Sequence, residues 1–114
     1  MDLGFDIGEA EASISPEKKK EFEFESILER FKNVVTTQQK MLAYEFADAI
    51  GVTEHIEEFY EFLSHPDKDG IIVYKDDNVK INKTKIMGAL MLGDNSILDR
   101  VMTNFRVWLV KVMK

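Results

Sequence analysis

The chain has 114 residues, of which 45% are hydrophobic and 32% charged, with a formal net charge of −6. That is enough for one domain with a single core, and ordinary for a soluble globular protein. It has no cysteine, which excludes disulfides, thiolate metal sites and a cysteine nucleophile, and no run approaches the ~20 apolar residues of a membrane span. The charge is uneven: residues 1–35 are net −4, residues 36–65 net −5 and residues 66–114 net +3. Such asymmetry either orients partners or reflects two differently solvated faces. The acidic start lacks the basic stretch of a secretory signal, so a cytoplasmic protein is expected.

Residues 1–14 mix small, acidic and apolar types, with Leu3, Phe5 and Ile7 alternating as in a strand. They are expected as a flexible arm ahead of one domain spanning residues 15–114. Ser15 and Pro16 make a helix start. Phe24, Ile27, Leu28, Phe31, Val34 and Val35 recur at helical spacing and predict a first helix ending near Val35. Thr36 and Thr37 interrupt it, and Thr37 is placed to cap a second helix that runs to Ile50. The inner stripe expected for that helix is Leu42, Phe46, Ala49 and Ile50, with Gly51 as a left-handed stop. Val52 is then a buried turn residue, and Thr53 caps a third helix with Ile56, Phe59, Tyr60 and Leu63 inward. Residues 67–70 form a turn. Residues 71–75 and 79–82 are β-rich and are joined by Asp76, Asp77 and Asn78, which favour a tight turn. Residues 84–92 predict a short helix with Ile86, Met87, Leu90 and Met91 inward, stopped by Gly93. Asp94, Asn95 or Ser96 caps the last helix. Its broad apolar stripe is Ile97, Leu98, Val101, Met102, Phe105, Trp108, Leu109 and Val112.

These elements sum to an α+β, mostly helical fold: a three-helix core, a β-hairpin and two C-terminal helices. Within residues 42–63, Ala47 stands four residues before Gly51, Ile50 precedes the glycine, and Val52 and Thr53 follow it. A small residue lets two helices approach closely, and glycine permits the sharp turn. With the hairpin extending it to residue 82, this order resembles the winged helix-turn-helix superfamily. Two positions depart from the usual pattern. Apolar residues are usual four and seven places after the Thr, where this chain has Glu57 and Tyr60. Ile56 and Phe59 come one step early instead, so the third helix is expected to sit rotated.

The resemblance implies duplex DNA binding, with the third helix in the major groove. The composition of that helix argues otherwise. Residues 53–65 hold Glu54, Glu57, Glu58 and Glu61 and no Lys or Arg, whereas affinity for nucleic acid comes largely from neutralising phosphates. The expected function is therefore a small non-enzymatic adaptor or regulator. It would bind a protein partner, basic or nucleic-acid-processing, through Glu54, Glu57, Glu58 and Glu61 with Tyr60 as an aromatic anchor. The alternative is a direct DNA- or RNA-binding regulator using Lys75, Lys80, Lys83 and Lys85. The apolar end of the last helix, with Trp108, Leu109 and Val112, is either core or a seam for a homodimer or a larger complex.

Catalytic chemistry finds no pattern. His55 and His65 are the only histidines and lack metalloprotease spacing. Asp67, Asp69, Gly70 and Asp76 partly follow the spacing of a calcium loop, but the first Asp and the closing Glu are missing. No metal, cofactor or catalytic residue is expected, and residues 67–70 read as a surface turn.

Overall fold

A computed structural model describes residues 16–113, with side chains from residue 21 onward. The expected N-terminal arm and the Ser15 cap lie outside the described residues. The fold is α+β. Helix α1 (Pro16–Thr37) is followed by strand β1 (Lys40–Leu42), helix α2 (Ala43–Ile50), a single 3-10 turn (Thr53–His55) and helix α3 (Ile56–Ser64). Strands β2 (Ile72–Lys75) and β3 (Asn78–Ile81), helix α4 (Lys83–Met91) and helix α5 (Ser96–Val112) complete it.

Helix α1 runs two residues further than its sequence suggests. The Thr36 and Thr37 hydroxyls donate to the Lys32 and Asn33 carbonyls at 2.8 and 2.6 Å. They close the last turn rather than interrupt it, so Thr37 caps nothing that follows. The second helix starts later than expected, because residues 40–42 form a strand. Met41 pairs with Val79, and the sheet order is β1-β3-β2, antiparallel throughout. The later start changes the inner stripe. Ala43, Phe46, Ala47 and Ile50 are buried, while Leu42 and Ala49 are exposed. Glu45 accepts the Leu42 N–H at 2.9 Å and so satisfies an amide at the helix start.

Gly51 ends α2 at φ 83°, and its N–H and that of Val52 both return to the Ala47 carbonyl. A Cβ at Gly51 would also stand 2.6 Å from the Arg30 guanidinium. Val52 is buried, as the sequence implies. Asp76 and Asp77 take φ of 52° and 63° in the two-residue turn between β2 and β3. Two consecutive left-handed residues match the right-handed twist of the flanking strands, and Asp and Asn tolerate that conformation best after glycine.

The core is built on aromatic rings drawn from four helices. Phe31 of α1 stacks on Phe105 of α5 with centroids 3.9 Å apart. Phe46 of α2 meets Phe59 of α3 edge-on at 5.2 Å. Trp108 touches Phe59, Phe62 and Phe105 and so links α3 to α5. Offset and edge-on ring pairs add to area burial because of the ring quadrupole. Helix α4 is attached more lightly. Ile86 is its only fully buried side chain, and Met87 and Met91, expected inward, are 41% and 85% exposed. Leu90 packs beside the core as well, Asn82 caps the helix through the Lys85 N–H, and the Lys83 ammonium reaches the Thr37 carbonyl at 3.2 Å.

Candidate protein-interaction site

The third helical segment winds from Thr53 to Ser64, first as 3-10 and then as α. Phe59 and Leu63 are buried, with Ile56, Tyr60 and Phe62 packed beside them. Glu54, Glu57, Glu58 and Glu61 are all exposed. Spacings of three and four put the four carboxylates on one stripe less than about two turns long. The first turn favours Glu57 and Glu58, because acids sit well at a helix N-terminus. The neighbours oppose each other by about 0.2–0.5 kcal/mol per like-charged pair. Among the described residues the ion pair is Arg100–Asp69, and none of the four glutamates has a cationic partner within 4.0 Å. The helix keeps its stripe through packing of the opposite face, not through charge balance.

Tyr60, expected as a contact anchor, is engaged inside the molecule beside the inward Phe59. Phe59 has no exposed surface. Tyr60 is half-buried and stacks on Tyr74 of β2 at 6.3 Å, with ring planes 12° apart. It fixes α3 to the inner face of the sheet. Partial burial and the Asp77 carboxylate hold the Tyr74 phenol above its ordinary pKa.

The seam expected at the end of the last helix is not an open face. Leu109 is 0% exposed and belongs to the core. Trp108 is half-buried in the ring cluster, and its indole N–H donates to the Glu58 carbonyl at 3.2 Å. Val112 packs beside the core. The helix looked apolar nearly all round because α1 covers one side and the aromatic residues of α3 another. Val107 and Val110, 52% and 44% exposed, are what remains outside.

Two of the four lysines of the nucleic-acid alternative are engaged by backbone carbonyls. Lys83 donates to the Thr37 carbonyl, and Lys85 to the Asp69 carbonyl at 2.9 Å. One ammonium is tied to the end of α1 and the other to the 67–70 turn. Lys75 and Lys80 make no such bond among the described residues and stand on the outer face of the sheet, where the register adds Lys40 directly opposite Lys80. Sequence spacing could not bring Lys40 to that surface, because it depends on β1.

The acids of the 67–70 turn are occupied. Asp67 accepts the Ile71 and Ile72 N–H groups, one on each oxygen, both at 2.8 Å. Asp69 takes a two-pronged contact from Arg100 at 2.9 and 2.9 Å. That guanidinium, by hydrogen bond and then by charge, holds the Asp69 carboxyl below its ordinary value. Among the described residues no cluster of three or more His, Asp or Glu is placed to hold a metal ion. Nor is any described helix long and apolar enough to cross a membrane. A shallow groove of ≈ 330 Å³ lies between α1 and the α2–α3 turn, where Glu23, Arg30 and Glu54 mix both signs of charge. No protein-family model, curated protein or solved structure matches the chain.

Proposed function

We propose that this protein is a non-enzymatic adaptor or regulator of winged helix-turn-helix type whose acidic α3 stripe binds a basic surface on a protein partner. The observation that carries the reading is the state of Glu54, Glu57, Glu58 and Glu61. All four are exposed, share one stripe, and lack a cation among the described residues. A basic partner would relieve their mutual repulsion, and complementary charge raises both specificity and association rate. The order of two helices around Gly51 followed by a hairpin supports the family resemblance. The same stripe argues against insertion of α3 into duplex DNA, since every one of its charges opposes the phosphates. On this reading the protein acts in the cytoplasm, which fractionation of the native host would test.

The experiment is affinity capture from the native host, with wild type beside Glu54→Gln/Glu57→Gln/Glu58→Gln/Glu61→Gln. Partners retained by wild type and lost by the variant, and basic on the binding surface, are the expected result. The rival reading is tested by fluorescence anisotropy with duplex and single-stranded oligonucleotides. Sub-micromolar binding that weakens steeply with salt would displace the adaptor reading in favour of direct nucleic-acid recognition.

A further inference from the structure

The sheet has two edges, and on each a carboxylate of this chain takes one outward amide. At β1 the Leu42 N–H goes to Glu45, and at β2 the Ile72 N–H goes to Asp67. An acidic side chain on an edge amide blocks addition of a further strand, as edge strands require. What remains open is the outer face. The pairing register puts Lys40, Lys80 and Val73 in one row across it and Leu42, Asn78 and Lys75 in the next. Among the described strand residues that face carries three lysines and no acid, in a chain of net charge −6. Lys40 and Lys80 stand directly opposite each other, an arrangement that repels. Leu42 and Val73 are 48% and 52% exposed beside them.

We propose that this face docks the α3 acidic stripe of a second copy of the chain. The inference rests on the reading of the stripe as an interface and names a partner for it. Both surfaces are present in every molecule, and they are opposite in charge. Their lattices also match. Carboxylates three and four apart on a helix are about 5–6 Å apart at Cβ, and cross-strand residues about 4.5–5.5 Å. One molecule does not satisfy its own pair. The Tyr60–Tyr74 stack holds α3 against the inner face of the sheet, so the glutamates and lysines belong to different sides of the molecule. The contact is therefore heterologous, and it extends copies head to tail rather than closing a two-fold dimer. A nucleic acid is the weaker occupant. Among the described strand residues the outer face has no aromatic ring for a base to stack on, and stacking is the usual second component of single-strand binding. A patch of this size makes a weak, reversible contact.

Sedimentation velocity over a concentration series at low and high salt tests the proposal, with three samples. These are wild type, the stripe variant Glu57→Lys/Glu58→Lys/Glu61→Lys, and the face variant Lys40→Glu/Lys75→Glu/Lys80→Glu. Wild type is expected to associate at low salt and to lose at least about tenfold in association constant at high salt, because exposed charges are screened. Each variant alone is expected to stay monomeric, and an equal mixture of the two to associate again, since the reversed surfaces complement each other. A wild type that stays monomeric at low salt overturns the proposal. So does association indifferent to salt, which would point to Val107 and Val110, or a mixture that fails to associate. Should a variant not fold, the salt response of wild type still decides. Oligonucleotide binding lost in the face variant, with a monomeric wild type, assigns the face to nucleic acid instead. If self-association fails while a lysine-rich peptide still shifts the stripe resonances, the stripe reading stands and only the second copy falls.

Discussion

Two acidic regions lie close together in this chain and are used in opposite ways. In the 67–70 turn every carboxylate has a structural partner: Asp67 holds the amides of Ile71 and Ile72 at the start of β2, and Asp69 grips Arg100. Across the 3-10 turn and α3, four glutamates have no cationic partner within 4.0 Å among the described residues. The residue type is the same; the local geometry differs. A short side chain at a turn can reach back to unpaired amides, while a glutamate on the outer side of a helix faces water. Acids that the fold uses are expected to matter for stability. Acids that it does not use are expected to matter for binding.

The comparison has an upper bound. Leu109→Glu would place an acid inside the core at a position with no exposure. We expect a loss on the order of 3–5 kcal/mol, as for other large core disruptions, read from denaturant unfolding. An unfolded chain, rather than a folded monomer released from a dimer, is the expected species. A well-folded variant would show that the end of α5 is a surface after all.

Asp67→Ala should come next. It strands the amides of Ile71 and Ile72, both buried residues, and should destabilise by about 2–3 kcal/mol. Hydrogen exchange should speed up first at Ile71 and Ile72. An unchanged unfolding midpoint would mean that the turn is as indifferent to its acids as α3 is.

A smaller effect is expected at Asp69, and it depends on pH. Arg100 lowers the Asp69 carboxyl below its ordinary value of 3.8. The folded state therefore binds that proton less readily than the unfolded state. The resulting stability is fully present above the unfolded value and fades as pH falls through the folded one. Arg100→Gln should remove this component and shift the acid limb of stability toward higher pH. Unfolding midpoints followed across the acid range check it. Coincident curves for wild type and variant would show that the ion pair does not contribute.

Much of this was legible in the sequence, and what was not has identifiable causes. The helices with long apolar stripes, α1 and α5, declared themselves through Phe31, Val35, Val101 and Phe105, because burial on one side imposes the 3.6-residue period. Gly51 and the pair Asp76–Asp77 marked their turns through left-handed preference. Strand β1 did not declare itself. Three residues are too few for a period of two to register, and Leu42 also fits a helical spacing with Phe46. Only pairing with β3, nearly forty residues away, makes them a strand. The same non-local pairing brought Lys40 beside Lys80, so the lysine face was out of reach of the sequence. Met87 and Met91 followed a helical period without being buried, since α4 buries only the face that carries Ile86 and Leu90. The glutamate stripe was readable in full, because residues on one helix face are fixed by spacing alone. Tyr60 was not, because its stacking on Tyr74 depends on where β2 lies.

The central claim is that the α3 glutamates are available for a partner and dispensable for the fold. A nuclear magnetic resonance titration of the ¹⁵N-labelled protein with a lysine-rich peptide tests it most directly, run on wild type and on Glu54→Gln/Glu57→Gln/Glu58→Gln/Glu61→Gln. The account predicts shifts concentrated on residues 54–61 in wild type. It predicts their loss in the variant, whose spectrum stays folded and whose stability is equal or higher by about 0.2–0.5 kcal/mol per relieved pair. Shifts that spare the stripe, or a variant that unfolds, would contradict it.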